Sequence, residues 1–138
     1  MIRQRILRLP ACGPGLHEIT GAIAEVVGDS GVRTGWCHVF VQHTSASLLI
    51  QENADPSARR DLESFFARVA PEDDPAYTHT AEGPDDMPAH LRSALTHTSE
   101  TIPVVAGNLG LGTWQGLYLF EHRGRAGPRR IVVTVQGE

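Results

Sequence analysis

Histidines and carboxylates are concentrated in one short stretch of this chain. Residues 77–90 contain two histidines, His79 and His90, together with acidic residues that include Glu82 and Asp86. Neutral imidazoles and carboxylates are the ligands that zinc and similar divalent ions bind in proteins. The stretch therefore predicts a metal site. The alternative is a solvated acidic loop whose carboxylates favour the start of the helix that follows.

A second candidate site follows a predicted strand. His43 is followed by the hydroxyl residues Thr44, Ser45 and Ser47, a combination that can supply a metal ligand beside a cradle for a small anion. No neighbouring acid completes a Ser–His–Asp arrangement, and the segment lacks the strand–turn–helix pattern of a nucleophile elbow. The alternative interpretation is a core histidine with its hydrogen bonds satisfied, followed by a polar turn.

Two further segments have weaker chemical signals. In residues 110–116, glycines flank Trp114 and Gln115, so a ligand could approach the backbone and contact an aromatic face, although a tight hairpin entry explains the pattern equally well. The other segment is an arginine-rich turn near the end of the chain, which predicts either a solvated hairpin or an anion-binding surface. Its arginines are Arg123, Arg125, Arg129 and Arg130.

The absence of lysine narrows the chemistry further. All 12 basic residues among the 138 are arginine, so Schiff-base catalysis, a P-loop lysine and a lysine general base are excluded. A phosphate or carboxylate group must therefore be held by arginine, backbone N–H groups, hydroxyls, histidine or a metal ion.

The composition predicts a single globular domain, residues 1–138, in the cytoplasm. A hydrophobic fraction of 41% is typical of a folded chain, and a net charge of −4 argues against a nucleic-acid partner held by bulk charge. The two cysteines, Cys12 and Cys37, form no CxxC pair, which favours a reducing compartment. Neither a secretory signal nor an apolar run of membrane-spanning length is present, so no membrane partner is expected.

Local patterns predict the elements that position these residues. Alternating apolar residues predict strands over 2–9 and 34–42, and the second is expected to be central because both of its faces are apolar. Helical spacing predicts a helix over 19–27 and another over 56–69, with Asp55 as its N-cap.

The second half of the chain completes the predicted fold. A long acidic loop, 72–87, leads to a short helix that Pro88 opens, with Leu91 and Leu95 directed inward. Three further strands are predicted, over 102–105, 113–122 and 130–136. Because this order does not repeat as βαβ units, we expect an α+β fold with a mainly antiparallel sheet.

Taken together, the motifs resemble those of the YjbQ-like family, in the same order and over essentially the whole chain. The matching segments are His43–Ser47, Glu52–Pro56, Asp85–His90 and Gly112–Gln115. The resemblance implies a compact α+β fold, assembly as a homotrimer, and activity as a secondary thiamine-phosphate synthase beside a primary function that is open.

The resemblance also implies roles for individual residues. It assigns His43, His79 and His90 as ligands of a divalent metal ion, with zinc favoured and magnesium as the alternative. Further motif residues could line the pocket: Glu52, Asp86, Trp114, Gln115 and Glu121.

The leading functional hypothesis is a metal-containing protein with a phosphate-handling pocket. The implied reaction joins a pyrimidine methyl diphosphate to a thiazole phosphate and releases pyrophosphate. Thr44, Ser45 and Ser47 would contact phosphate oxygens, and Trp114 would stack on a heteroaromatic ring. One alternative is a metal-assisted hydrolase with Glu82 or Asp86 as general base. The other is a non-catalytic trimer that binds a small phosphorylated molecule.

Overall fold

Three helices and eight strands, described over residues 1–138 by a computed structural model, form the fold. The helices are α1 (Thr20–Ser30), α2 (Pro56–Val69) and α3 (Asp86–Leu95). The strands are β1 (Ile2–Leu9), β2 (Gly15–Glu18), β3 (Thr34–Val41), β4 (Ala46–Glu52), β5 (Ser99–Val105), β6 (Asn108–Leu109), β7 (Gln115–Glu121) and β8 (Arg129–Gly137). The predicted α+β class is confirmed.

The larger sheet has five antiparallel strands in the order β1-β8-β3-β5-β6. The predicted central position of β3 is confirmed, since it pairs with β8 on one side and β5 on the other. Its inner face carries Cys37, Val39 and Val41, each at most 1% exposed. These side chains alternate with outward-facing ones because successive residues of a strand point to opposite faces.

The smaller sheet has three strands in the order β2-β7-β4 and divides the interior in two. One of its faces contributes Leu48, Leu117 and Leu119 to a core of 17 buried residues that also includes the inner face of the larger sheet. Its other face contributes Tyr118 and Phe120 to a smaller apolar cluster. Alternate residues of β7 therefore belong to different cores.

The first two helices begin and pack for different reasons. Helix α1 buries Ile23, Val26 and Val27 in the larger core and ends at Gly31 in the left-handed conformation. Helix α2 has its predicted N-cap, since the Asp55 carboxylate accepts a hydrogen bond of 2.9 Å from the Ser57 amide. It packs only loosely on the smaller sheet.

The apolar stripe predicted for α2 is only partly buried. Leu62 and Phe66 contact the smaller cluster, but Phe65 and Val69 are 49% and 48% exposed. One apolar edge of the helix therefore faces away from the protein.

The predicted inward direction of α3 was wrong for Leu95, whereas Leu91 is half-buried. The helix begins at Asp86, two residues before Pro88, and its buried residues are Asp86, Pro88 and Ala89. Leu95, expected inside, is 59% exposed. The cause is the polar environment of Asp86, described below, which turns that side of the helix inward.

Two other expectations concern the whole chain. Cys12 and Cys37 are both free thiols. None of the three helices has the length and apolar character needed to cross a bilayer.

A close approach between β3 and β8 gives the first prediction. A Cβ atom at Gly35 would lie 1.9 Å from the carbonyl oxygen of Gln136, so Gly35→Ala should lower the free energy of unfolding by about 3 kcal/mol. The matched control is Gly28→Ala in α1, where a Cβ meets nothing within 4 Å and stability should rise by about 0.5–1 kcal/mol. Urea unfolding measures both. An unchanged Gly35→Ala variant would contradict the strand pairing.

Candidate metal centre and adjoining pocket

Four residues predicted in the acidic loop come together at the start of α3. Asp86 is the first residue of the helix and His90 follows one turn later, so both lie on one side of it. His79 and Glu82 lie in the preceding loop and approach from outside. The ligand atoms of all four residues lie within 4.8 Å of one another. The structure therefore brings two of the three predicted histidine ligands and the two predicted catalytic carboxylates into one cluster.

The centre of this cluster is a single oxygen atom. Asp86 Oδ2 lies 2.7 Å from His79 Nε2 and 2.9 Å from His90 Nε2. The Glu82 carboxylate is more distant, with Oε2 3.5 Å from His79 Nε2. Asp86 is only 2% exposed, and a carboxylate removed from water in this way needs partners that compensate its charge.

The orientation of the His90 ring shows what kind of partner is suited to this position. His90 Nδ1 lies 3.1 Å from the carbonyl oxygen of Thr44, and a carbonyl only accepts, so Nδ1 carries the hydrogen. In a neutral ring, Nε2 then has no hydrogen, and its lone pair is directed at the Asp86 carboxylate. Two such acceptors repel unless a second proton or a cation lies between them. The donor set therefore fits a metal ion.

Arg123 holds the carboxylates of this cluster in place. Its Nε donates to Asp85 Oδ2 over 3.1 Å, and its NH2 donates to the carbonyl oxygen of Glu82 over 3.1 Å. Its NH1 donates to Asp86 Oδ1. Arg123 thus fixes the loop against the turn between β7 and β8.

The pKa of Asp86 reflects these contacts. Burial on its own raises the pKa of the carboxyl, but hydrogen bonds with His79 and Glu82 and the charges of His90 and Arg123 outweigh it and lower the pKa to about 2. The carboxylate is therefore ionised at neutral pH, as a metal ligand must be.

A pocket of about 810 Å³ adjoins the cluster. His90 belongs to both, so a ligand in the pocket would lie next to a metal ion held by the cluster. The pocket is lined by Phe40, Val41, Gln42, His43, Thr44, Ser45, His90, Ser93, Ala94 and Thr98. Six of these ten residues carry a hydroxyl group or an imidazole, and Phe40 is the only aromatic hydrocarbon ring among them.

His43, the third predicted metal ligand, lines the pocket but does not belong to the cluster. Its Nε2 accepts a hydrogen bond of 2.8 Å from the Arg130 amide. Its Nδ1 lies 3.3 Å from Arg129 NH1. Burial lowers the pKa of His43, and the charges of Arg129 and Arg130 lower it further despite the opposing effect of Glu121. The ring is therefore neutral in this environment.

The structure separates the remaining predicted residues from the pocket. Ser47 is 1% exposed and is hydrogen-bonded inside the protein, so it does not contact a ligand there. Gln115 and Glu52 pair with each other at one end of the β7–β4 ladder, and Trp114 precedes them with 64% of its surface exposed. The pocket lies near Glu121, at the other end of this ladder. Six residues of strand separate Glu121 from Gln115, which corresponds to roughly 20 Å.

The arginine-rich turn was predicted to be either a solvated hairpin or an anion-binding surface. Two of its arginines instead form ion pairs within the protein. Arg123 binds the loop carboxylates, and Arg129 is buried against Glu121, with Nε 2.7 Å from Oε1 and NH2 2.5 Å from Oε2. Arg125 and Arg130 are exposed. Sequence spacing could not identify these two ion-paired arginines, because their partners lie in the loop before α3 and at the end of β7.

His122 is a buried polar residue that sequence reasoning missed. It is 2% exposed, and its Nε2 lies 2.8 Å from Ser47 Oγ. The Thr96 hydroxyl in turn donates to Ser47 over 2.6 Å, which connects α3 to the smaller sheet. Burial, together with the charges of Arg92 and Arg129, lowers the pKa of His122 to about 3.

Comparison with known proteins gives a consistent result. The family model described as "UPF0047 protein YjbQ-like" matches residues 6–138. A UPF0047 protein of Synechocystis is 58% identical, with 98% of this chain and 92% of that protein covered. The UPF0047 protein YjbQ of Escherichia coli O157:H7 is 46% identical, with 98% of each chain covered.

Solved structures extend the similarity to the fold. A YbjQ-like protein of unknown function from Sulfolobus solfataricus superposes with a TM-score of 0.91 at 24% identity and covers 100% of this chain and 99% of its own. A conserved hypothetical protein of Thermus thermophilus gives a TM-score of 0.85 at 32% identity, with 96% and 99% covered. The relatives come from both bacteria and archaea.

The buried state of His122 makes the stability of the protein depend on pH. The folded pKa lies near 3 and the ordinary value is 6.5, so between these values the unfolded chain binds one more proton than the folded chain. Stability should therefore fall by about 1.4 kcal/mol per pH unit as the pH is lowered from about 6 towards 4. Urea unfolding at pH 6, 5 and 4 measures this slope.

The matched variants separate His122 from the other histidines. His122→Gln keeps a hydrogen-bonding partner for Ser47 but does not titrate, so its stability should vary less with pH than that of the wild type. His17→Gln, on β2, should retain the wild-type slope. A His122→Gln variant with an unchanged slope would show that His122 does not titrate as the structure indicates.

Proposed function

The chain belongs to the UPF0047 YjbQ-like family, and we propose that it binds a divalent metal ion beside a pocket for a small phosphorylated molecule. The observation that carries the proposal is the sharing of one buried oxygen, Asp86 Oδ2, by the Nε2 atoms of His79 and His90. A divalent cation among these three atoms would remove the repulsion between the His90 lone pair and the carboxylate.

The donor set favours zinc over magnesium. Two imidazole nitrogens suit zinc, whereas magnesium prefers an octahedral shell of oxygen atoms and retains several waters. Asp86 would contribute a buried carboxylate, and Glu82, whose side chain is 64% exposed, could complete the shell from the solvent side. When bound, such an ion can neutralise a diphosphate leaving group or activate a water molecule.

The phosphate half of the proposal rests on the lining of the pocket. Thr44 and Ser45 line the pocket beside His90, and hydroxyl groups can donate to phosphate oxygens. Because the chain contains no lysine, arginine and the metal ion must supply the positive charge. The predicted phosphate contact of Ser47 is dropped from the proposal because that hydroxyl is buried.

The finer proposal is a group transfer as a side activity, as the family resemblance implies. The ring nitrogen of a thiazole phosphate would attack the methylene carbon of a pyrimidine methyl diphosphate, so that a C–N bond forms, the C–O bond breaks and pyrophosphate leaves. Thr44 and Ser45 would orient the phosphates. Within one chain, Phe40 lines the pocket and would supply the aromatic surface for a ring.

Hydrolysis is the second candidate, and the position of Glu82 favours it. This exposed carboxylate lies beside His79 at the open side of the cluster, where it could accept a proton from water. Pyrophosphate release from the two thiamine precursors supports the transferase, and phosphate release from a simple phosphoester supports the hydrolase. If neither product forms, the protein is a binding protein.

We extend the proposal to a cytoplasmic homotrimer. The outer face of the larger sheet leaves Trp36 and Phe40 exposed by 38% and 40%, and an uncovered apolar sheet face is typical of a surface that contacts another chain. Trp114 and Gln115, remote from the pocket of their own chain, could then reach the pocket of a neighbouring copy. Two free thiols are consistent with a reducing compartment.

Metal content tests the central part of the proposal. Protein purified without a histidine tag should contain about one zinc or similar ion per chain, and Asp86→Asn, His79→Ala and His90→Ala should each lose most of it. Elemental analysis gives the content. The matched control is His97→Ala, an exposed histidine paired with Glu100 outside the cluster, which should keep its metal.

The same measurement also decides the role predicted for His43. If His43→Ala retains its metal, the cluster of four is the complete set of protein ligands. If His43→Ala loses its metal, His43 belongs to that set. The metal proposal is contradicted if Asp86→Asn and His90→Ala retain as much metal as His97→Ala.

A further inference from the structure

Arg129 has one nitrogen that its buried ion pair does not use. Its Nε and NH2 groups bind Glu121, and NH2 also donates to Ser45 Oγ over 3.0 Å. The remaining group, NH1, carries two hydrogens and has a single protein contact, His43 Nδ1 at 3.3 Å. This nitrogen lies behind the pocket wall that His43 and Ser45 form.

His43 cannot satisfy both of the donors that face it. The Arg130 amide donates to Nε2 over 2.8 Å, while Arg129 NH1 faces Nδ1. A neutral imidazole has only one acceptor nitrogen, because the other carries its hydrogen. One of the two contacts is therefore between two donors, and this corner of the pocket lacks an acceptor.

The missing acceptor identifies the chemistry of the ligand. The two ring nitrogens of His43 are about as far apart as two oxygens of a carboxylate or phosphate group, and each faces an N–H donor from the arginine pair. We infer that an oxyanion of the ligand takes the place of the His43 ring, with one oxygen bound to Arg129 NH1 and another to the Arg130 amide. This inference rests on the proposed phosphate pocket and names the groups that bind the anion.

The surroundings of this corner suit an anion once the ring has moved. Ser45 Oγ is already within hydrogen-bond distance of the Arg129 guanidinium, and the Thr44 hydroxyl is exposed beside it. The exposed Arg130 side chain adds positive charge close by. The carboxylate of Glu121 is held on the far side of the guanidinium by the backbone amides of His122 and Arg123, away from the ligand.

His43 therefore acts as a cover over the anion subsite, and its removal should strengthen anion binding. If the ring were itself an anion ligand, its removal would weaken binding. Displacement of the ring gives up its one hydrogen bond, from the Arg130 amide, which is worth up to about 1.5 kcal/mol. Metal-free His43→Ala should therefore bind inorganic phosphate about tenfold more tightly than metal-free wild type.

Isothermal titration of metal-free protein with inorganic phosphate tests this inference. His17→Ala is the matched control and should bind phosphate like the wild type. The double variant His43→Ala/Arg129→Lys retains a positive charge opposite Glu121 but lacks the NH1 donor. It should therefore not bind phosphate more tightly than the wild type. Thermal unfolding of each variant confirms that it is folded.

The outcomes separate this inference from the proposed function. The anion subsite is supported if His43→Ala binds phosphate more tightly than the wild type and the double variant with Arg129→Lys does not. Equal or weaker binding by His43→Ala, with phosphate still bound by the wild type, overturns the subsite and leaves the phosphate pocket standing. If neither wild type nor His43→Ala binds phosphate, both the subsite and the phosphate half of the proposed function are wrong, and the metal content is unaffected.

Discussion

The burial of one carboxylate, that of Asp86, is the constraint on which the site depends. A charge removed from water must be compensated by neighbouring groups, and the chain supplies them from three separate places. His79 comes from the loop, His90 from the next turn of α3, and Arg123 from the turn after β7. These partners fix the path of the acidic loop and explain why α3 turns its polar side, and not Leu95, towards the protein.

A second buried pair, Arg129 with Glu121, frames the other side of the pocket. It lies at the junction of β7, β8 and the turn between β3 and β4, since Arg129 also contacts the Ser45 carbonyl oxygen over 3.2 Å. The turn between β3 and β4 also carries the Thr44 carbonyl group that contacts His90. The orientation of His90, a proposed metal ligand, thus depends on an ion pair in another part of the fold, and the two ion pairs together position the pocket walls.

Features set by local rules could be predicted from the sequence. The cap of α2 at Asp55 and the alternating faces of β3 follow from residues adjacent in the chain, and the grouping of His79 with Glu82, Asp86 and His90 follows from their short spacing. The exclusion of His43 from that cluster could not be predicted, because its partners Arg129 and Arg130 are more than eighty residues away. The burial of Ser47 and the distance of Trp114 likewise depend on the pairing of β4 with β7.

Anomalous diffraction at the zinc edge, from crystals of zinc-loaded protein, locates any bound ion. One strong anomalous peak per chain is expected within bonding distance of the Nε2 atoms of His79 and His90 and of an Asp86 carboxylate oxygen. A peak at other residues, or none at this cluster in fully loaded protein, would contradict the proposed metal site.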